Sequence, residues 1–159
     1  MTDVHSTSIR SKNMRAIRHR DTKPELLIRK ALHKRGFRYR LNVKKLPGTP
    51  DIVLPKYRAL IFVHGCFWHG HQCHLFKIPK TRTDFWLTKI ENNLKRDIIS
   101  QKNLCAGDWR VAVVWECALK GQHKLSFEAL INELSNWIVN PRVQNVEFQG
   151  TVIERVSDT

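Results

Sequence analysis

Two almost continuously apolar runs, "RALIFVH" at residues 58–64 and "WRVAVVWE" at residues 109–116, constrain the fold most strongly. Such runs, bounded by polar residues, predict strands that are buried on both faces at the centre of a sheet. Earlier strands are predicted in "FRYRLNV" at 37–43, where apolar and polar residues alternate, and in "DIVL" at 51–54. Short connections make these first three strands antiparallel, and the fourth arrives after a helix. We expect one α/β domain over residues 1–159, with a mixed central sheet flanked by helices.

Helix signals lie around these strands. Thr22-Lys23-Pro24-Glu25 has the spacing of a capping box, and the helix that it opens should run to about Arg35, before Gly36. A later helix is predicted over residues 126–138, with Ser126 as its N-cap.

A longer helix is predicted over residues 84–103 by apolar residues at helical spacing. Those residues are Leu87, Ile90, Leu94 and Ile98. Residues 1–20 read as a basic arm, helical over 8–20, and the weak pattern over about 140–159 predicts no regular element.

The charge balance is the strongest indication of a partner. Lys and Arg number 28 against 14 Asp and Glu, which gives a formal net charge of +14 and an isoelectric point near 10.1. Such a chain favours binding to nucleic acid, because neutralising phosphates releases counterions. An anionic membrane surface is the alternative, but it would favour an amphipathic helix with a clean apolar face.

The apolar segments are all short. None approaches the roughly 18–20 residues of a membrane span, and the polar N-terminus lacks the apolar core of a signal peptide. We therefore expect a cytoplasmic protein that does not enter membranes. In such a protein, four cysteines point to thiol or metal chemistry rather than to disulfides.

The loop "HGCFWHGHQCH" at residues 64–74 is dense in metal-ligand residue types. Two thiols and one histidine from this loop, with the distant Cys117, would make the closed set of four ligands that Zn²⁺ prefers. The thiols are Cys66 and Cys73, and Cys105 stays outside. The spacing leaves the histidine open among His69, His71 and His74.

A second, harder cation is indicated by carboxylates. Asp51 begins a strand and Glu25 lies in the first turn of a helix, and Mg²⁺ prefers oxygen ligands of this kind. His64, at the end of the next strand, would be brought near Asp51 by a tight strand connection. The alternatives are a turn residue for Asp51 and a core histidine for His64.

Aromatic residues share the loop with these ligands. Phe67 and Trp68 are neighbours in sequence, and Trp86 begins the following helix. In a chain this basic, exposed aromatics are typical of stacking on bases or wedging between base steps.

Four segments resemble a known family in order and spacing. They are "RSKNMRAI", "LPGTPDIV", "HGCFWHGHQCHLFKIPKTRTDFWLTKI" and "VVWECAL". From about Arg10 to Leu119 the chain closely resembles Vsr, the very-short-patch mismatch-repair DNA endonucleases of bacteria. The resemblance implies a type II restriction-endonuclease-like core with a structural zinc. It also implies Mg²⁺-dependent nicking 5′ to the T of a T:G mismatch, which arises when 5-methylcytosine deaminates in a methylation site.

The resemblance also implies the roles of the catalytic residues. Asp51 matches the Mg²⁺-binding carboxylate, and the backbone carbonyl of Val63 matches the second protein ligand. A carbonyl ligand survives the change from the Thr that relatives often carry at that position. His69 matches the residue that activates water, His64 lies beside the scissile phosphate, and Glu25 supports the site through water.

The remaining implied roles concern zinc and DNA. The structural zinc ligands fall on Cys66, His71, Cys73 and Cys117, which leaves His74 outside both sites. The aromatics that enter the DNA stack beside the mismatch fall on Phe67, Trp68 and Trp86. The residues that read the mispaired bases fall on Lys89 and Asn93. The segment that grips the duplex from the opposite groove falls on Met14, Arg15 and Ile17.

Two other functions remain open from the residues alone. The first is a zinc-dependent DNA-binding module without catalysis, in which Asp51 is only a turn residue. The second is a restriction enzyme that cuts both strands of matched DNA as a dimer. No obvious dimer face is visible in the sequence, so a monomer is expected. Double-stranded DNA with a T:G mismatch is the expected partner, and general mismatch-repair proteins are further candidates.

Overall fold

The computed structural model of the protein describes residues 22–151. A five-stranded mixed sheet lies at its centre in the order β1-β2-β3-β4-β5. The strands are β1 (Arg40–Leu41), β2 (Ile52–Leu54), β3 (Ala59–His64), β4 (Arg110–Trp115) and β5 (Val146–Phe148). The helices are α1 (Lys23–Lys34), α2 (Thr83–Ala106), α3 (Glu116–Leu119) and α4 (Phe127–Val139). The predicted basic arm lies outside the described residues.

The strand directions determine where the ends of the sheet lie. Strands β1, β2 and β3 pair antiparallel, whereas β3, β4 and β5 pair parallel, which confirms the predicted mixed α/β sheet. His64 pairs with Trp115 at the last register position of β3 and β4. The first residue of β2 therefore lies at the same end of the sheet as the last residues of the three parallel strands.

Each face of the sheet has its own core. On one face, Ile61 and Val114 pack with Leu32 of α1 and Leu134 of α4. On the other face, the core includes Leu60, Phe62, Val113 and Trp115, together with Leu104 of α2. Side chains in a strand alternate between faces, so His64 follows Phe62 onto the face that α2 covers. The sheet is thus a middle layer between α1 with α4 and α2.

Two predicted helix starts are confirmed by their caps. Thr22 caps α1, where its hydroxyl oxygen accepts a hydrogen bond from the Glu25 N–H at 3.5 Å. Ser126 caps α4 and accepts from the Ala129 N–H at 3.4 Å. The chain leaves α1 through Gly36, whose φ of +93° lies in the left-handed region that glycine adopts without steric cost.

The first strand is shorter than the alternation predicts. Only Arg40–Leu41 pair with β2, and both are exposed. Phe37 packs in the core before the strand begins. Directly after the strand, Asn42 has a φ of +47°, which ends the extended conformation. The prediction of a strand over 37–43 is therefore wrong in extent.

The long helix α2 is confirmed, but its apolar side is only partly buried. Ile90 is 5% exposed, whereas Ile98 is 67% exposed. Much of the helix therefore faces away from the rest of the fold, although the loop that precedes it packs along part of its length. Periodicity predicts a helix here but not how much of that helix is covered.

The weak pattern after residue 140 predicts no regular element, yet Val146–Phe148 form β5. Three residues are too few for an alternation signal, and the strand forms because β4 offers it a parallel edge. Within residues 22–151, no helix combines the length and apolar character needed to cross a membrane.

One buried cation ties the sheet to α4. Arg110 is 6% exposed, and within residues 22–151 its guanidinium donates to backbone carbonyls alone. Its acceptors are the carbonyls of Tyr57, Trp137, Ile138, Asn140 and Val143, at 2.6 to 3.3 Å. A single side chain thus satisfies the carbonyls at the end of α4 and in the segment that leads to β5.

Replacing this cation should destabilise the fold strongly. We expect Arg110→Met to lower the free energy of unfolding by about 3 kcal/mol or more, because buried carbonyls that lose their donor cost about 1–3 kcal/mol each. Urea unfolding followed by circular dichroism measures the change. Arg142→Met, at an exposed position, is the matched control, and equal effects in both variants would contradict the assignment.

Candidate functional site

The chemistry-bearing residues gather at one end of the sheet. Asp51 precedes β2, and His64 ends β3. Cys117 follows β4, and Gln149 follows β5. Because this end collects the carboxyl ends of three parallel strands, the loops that leave it lie side by side.

Asp51 is held against the last part of β3. Its Oδ2 accepts a hydrogen bond from the Val63 N–H at 2.7 Å. Burial raises the pKa of Asp51 to about 7, the Val63 N–H opposes this shift, and the charge of Glu25 adds to it. Because burial disfavours the charged form of Asp51, a cation bound nearby would stabilise that form.

Glu25 and Arg29 reach the same region from α1. Glu25 is 3% exposed, and its Oε2 accepts from Arg29 Nη2 at 3.0 Å. Thr22 Oγ1 donates to Glu25 Oε1 at 3.1 Å. The charge of Glu25 raises the pKa of Asp51 and that of Arg29 lowers it, so the two acids lie close enough to interact.

Two histidines and an aspartate form the next part of the site. His69 Nδ1 lies 2.5 Å from Asp97 Oδ2, and the His64 ring stacks on the His69 ring with centroids 3.7 Å apart. Burial, helped by His69, lowers the pKa of His64 to about 3, against the opposing charge of Asp97. His64 is therefore neutral, and its Nδ1 has no hydrogen-bond partner within residues 22–151.

Asp97 is a site residue that the sequence reasoning missed. It lies two helical turns after the buried Ile90, and so on the inward side of α2, where an apolar residue would be expected. A carboxylate at an inward helix position was the signal that could have found it.

A cluster of sulfur and nitrogen atoms lies beside this pair. Its members are Cys66, His71, Cys73 and Cys117, whose ligand atoms all lie within 4.8 Å of one another. The Sγ atoms of Cys66 and Cys117 each lie 3.6 Å from His71 Nδ1. A tetrahedral Zn²⁺, with Zn–S of about 2.3 Å and Zn–N of about 2.0 Å, has S···N edges of about 3.5 Å. The donor set and its spacing therefore fit a closed, four-ligand metal site.

Burial and hydrogen bonds describe the state of these thiols. Burial raises the pKa of Cys66 and of Cys117, so both are neutral thiols until a cation offsets the cost of the thiolate. The Cys117 N–H donates to Cys66 Sγ at 3.4 Å, and the Gly150 N–H donates to Cys117 Sγ at 3.2 Å. Such N–H···S bonds stabilise thiolates in metal sites.

The structure separates the three histidines that the spacing left open. His71 lies in the cluster, where its Nε2 lies 2.9 Å from Gln149 Oε1. An Nε2–H that donates to Gln149 leaves the Nδ1 lone pair directed at the thiols. His69 instead faces Asp97, and His74 packs edge-on against His123 with centroids 4.6 Å apart.

Gln149 and Gly150 were also missed, because the stretch after residue 140 carries no recognisable pattern. A Cβ added at Gly150 would lie 2.7 Å from the Cys117 carbonyl oxygen and 2.9 Å from that of His123. Only glycine allows this approach, so the segment after β5 closes directly onto the cluster. The only sequence signal for this approach was Gly150 itself, shortly after the apolar residues Val146 and Phe148.

The aromatic residues of the loop and Trp86 of α2 pack on each other rather than in the core. Phe67, Trp68 and Trp86 meet edge-to-face, with centroids 5.2 to 5.7 Å apart, and all three are half-buried. Lys89 Nζ lies 5.4 Å from the centroid of Trp68. Asn93 Nδ2 donates to the Trp68 carbonyl oxygen at 2.9 Å. The result is a rigid, partly exposed aromatic surface with a cation above it.

Met14, Arg15 and Ile17 lie outside the described residues. Cys105 is exposed and lies outside the cluster, as expected.

Buried carboxylates and a histidine–aspartate pair at the same end of a sheet, in a chain this basic, are consistent with a nuclease. Comparison with known proteins defines the family. The family model described as "DNA mismatch endonuclease Vsr" matches residues 2–75. Over 138 residues the chain is 51% identical to the DNA mismatch endonuclease Vsr of Escherichia coli (strain K12), covering 87% of this chain and 88% of that protein. The chain belongs to the Vsr family.

Other relatives are named as nicking enzymes. The chain is 52% identical over 122 residues to the type II nicking enzyme V.NmeAIP of Neisseria meningitidis, covering 77% of this chain and 87% of that one. It is 51% identical over 119 residues to the type II nicking enzyme V.XorIIP of Xanthomonas oryzae pv. oryzae, covering 75% of this chain and 88% of that enzyme. These matches confirm the family resemblance that the four sequence segments indicate.

Adding a methyl group at Gly150 should loosen the metal cluster. We expect Gly150→Ala to lower stability by about 1–3 kcal/mol, since the Cβ meets backbone that cannot move cheaply. Metal affinity should fall about tenfold or more, because bonds around the ligands are lost. Chelator competition and thermal unfolding measure the two effects. Gly107→Ala is the control, since its Cβ would lie 3.5 Å from the nearest atoms. Unchanged metal affinity in Gly150→Ala would contradict the assignment.

Proposed function

We propose that this protein is a Mg²⁺-dependent endonuclease that recognises T:G mismatches in a methylation-site context. It nicks the strand 5′ to the mismatched T and so begins very-short-patch repair. The observation that carries the proposal is the placement of two groups at the end of β3, in a member of the Vsr family: Asp51 accepts from the Val63 N–H, and the His69–Asp97 pair stacks on His64, the next residue. The type II restriction-endonuclease-like core is part of the same proposal.

The Mg²⁺ ligands are the Asp51 carboxylate and the Val63 backbone carbonyl. The Val63 N–H already faces Asp51, and the carbonyl of an extended residue points to the same side as its N–H. Glu25 supplies a second carboxylate close by, which acts through water. When bound, Mg²⁺ neutralises charge that develops on the phosphoryl oxygens. The raised pKa of Asp51 supports a site that is built for a cation.

His69 is the base that takes a proton from the attacking water. Asp97 accepts from the His69 Nδ1–H, which leaves the Nε2 lone pair available for that proton. His64 stacks on His69 as a neutral ring and lies beside the scissile phosphate. Asp97 is thus a positioning residue that fixes the tautomer and the orientation of the base.

The zinc site is structural. Cys66, His71, Cys73 and Cys117 hold Zn²⁺ with four protein ligands, which leaves no open position for a substrate. When bound, Zn²⁺ would link the loop after β3 to the chain after β4. That link would hold Phe67, Trp68 and His69 in place, because all three lie in the same loop.

DNA binding uses the aromatic surface and the cations around it. Phe67, Trp68 and Trp86 enter the stack beside the mismatch, where a wobble pair is easier to deform than a matched pair. Lys89 and Asn93 contact the mispaired bases from α2. Met14, Arg15 and Ile17 grip the duplex from the opposite groove.

The direct test uses duplexes that carry a single T:G mismatch. With Mg²⁺, we expect a nick 5′ to the T in one strand only, and no nick with EDTA. We expect Asp51→Ala to lose at least about 1,000-fold in rate, because metal-ion charge stabilisation is worth several kcal/mol. Tight mismatch binding without nicking under any divalent metal would favour the non-catalytic module. Cleavage of both strands of matched DNA would favour the restriction enzyme.

Removing the charge of Asp97 tests the base. We expect Asp97→Asn to lower kcat about 100-fold or more while KM changes little, because proton transfer is impaired and binding is not. Single-turnover nicking and duplex titration separate the two quantities. Asp108→Asn, an exposed change beyond the end of α2, is the control. A rise in KM at unchanged kcat would show that Asp97 does not position the base.

A further inference from the structure

A shallow groove runs along one side of α2 and is lined by that helix alone. Its residues, called here the α2 groove, are Asp84, Phe85, Thr88, Lys89, Asn92 and Arg96. They recur at three- and four-residue spacing, which places them on one face. All six are exposed. This face is distinct from the inward one that carries Asp97.

The groove has the chemistry of a surface that reads nucleic acid. Arg96 and Asn92 offer the guanidinium and amide groups that pair with the edges of guanine and adenine, and Thr88 offers a hydroxyl and a methyl. The only acid in the groove is Asp84, whereas Lys89 and Arg96 carry positive charge. Phe85 is the only apolar member, so an apolar protein partner would find little to bury.

The groove begins at the aromatic surface. Phe85 meets Trp86 edge-on, with centroids 5.2 Å apart, and Lys89 lies over both Trp68 and Trp86. Along a helix that rises about 1.5 Å per residue, Asn92 lies about 4.5 Å beyond Lys89, and Arg96 lies about 10.5 Å beyond it. With base pairs about 3.4 Å apart, these distances correspond to about one and about three base steps.

Neighbouring side chains on α2 differ in the number of hydrogen bonds that they already make within the protein. Asn93 donates to the Trp68 carbonyl, and its Oδ1 accepts from Arg96 Nη2. The Asn92 amide makes no hydrogen bond with any residue among 22–151, and Arg96 Nε donates to the Asn92 carbonyl oxygen at 3.5 Å. Asn93 therefore ties α2 to the aromatic surface. Two hydrogen bonds hold Arg96 against the preceding turn of α2, and the Asn92 amide is available for a ligand.

We propose that Asn92 and Arg96, with Thr88 beside them, contact the edges of the base pairs that flank the mismatch and so set the flanking-sequence preference. The ligand of the α2 groove is the major-groove edge of double-stranded DNA. The inference rests on the proposed function, since it assigns the context in which the mismatch is recognised. Lys89 marks the boundary between the mismatch itself and its flank.

The test is a panel of T:G duplexes in which each of three base pairs on either side of the mismatch is varied. Full-length wild type, Asn92→Ala and Arg96→Ala are compared by kcat/KM with Mg²⁺ on every duplex. We expect each variant to reduce the preference at one or two flanking positions about 5- to 150-fold, because a bidentate base contact discriminates by that factor. Discrimination between T:G and T:A at the central position should be retained.

Lys95→Ala is the matched control. Lys95 adjoins Arg96 in sequence and carries the same charge, but it lies outside the α2 groove and pairs with Glu91 at 3.3 Å. We expect this variant to lower kcat/KM evenly across the panel. Thermal unfolding of all three variants should match wild type, since the positions are exposed.

Two results would overturn the inference. Unchanged flanking preferences in both Asn92→Ala and Arg96→Ala would remove the α2 groove from recognition. An even loss across the panel, with a shallower salt dependence, would reduce Arg96 to a phosphate contact. If wild type nicks no T:G duplex, the proposed function fails, and dissociation constants in EDTA across the same panel still decide the inference. Flattened binding preferences in the variants would support it, and unaltered ones would overturn it.

Discussion

The parallel pairing of β3 with β4 is the constraint on which the rest of the structure depends. Antiparallel neighbours would send the two chains out at opposite ends of the sheet, whereas parallel pairing sends His64 and Trp115 out side by side. The chain beyond each strand then carries ligands to one cluster, with Cys66 from one side and Cys117 from the other. Helix α2 makes this pairing possible, because a parallel neighbour needs a long crossover. The same helix also supplies Asp97 and the residues that we propose to face DNA.

Two sites of opposite chemistry share this end of the sheet without mixing. Oxygen donors come from Asp51 and Glu25, on the side of β2 and α1, and sulfur donors come from the loop after β3 and from Cys117. The stacked His64 and His69 rings come from the same strand end and loop as Val63 and Cys66. A hard cation and a soft one would therefore be sorted by ligand type, and in the proposed function the histidine pair serves the reaction.

Much of the fold follows from the sequence, because long buried strands and capped helices carry local signals. Strand β3, the N-cap at Ser126 and the mixed sheet were predictable for this reason. Strand β5 was not, because three residues hold no periodicity and depend on a partner far along the chain. In the candidate site, the ligand types were visible but their pairing was not. His71 rather than His74 joins the cluster because Gln149 lies beside the His71 ring, and the position of Gln149 is set by the fold. Asp97 could be recognised only from its position on the inward side of its helix.

The closure of the segment after β5 onto the cluster has a consequence for biosynthesis. The Gly150 N–H and the Gln149 side chain bond to residues that the ribosome delivers much earlier. A nascent chain can pair β3 with β4 before this segment emerges, but its Cys/His cluster still lacks two of the bonds that orient its ligands. The loop that carries Phe67 and Trp68 therefore reaches its final order only after residue 150 has been synthesised. The order of synthesis thus makes the segment after β5 the last part of the Cys/His cluster to arrive.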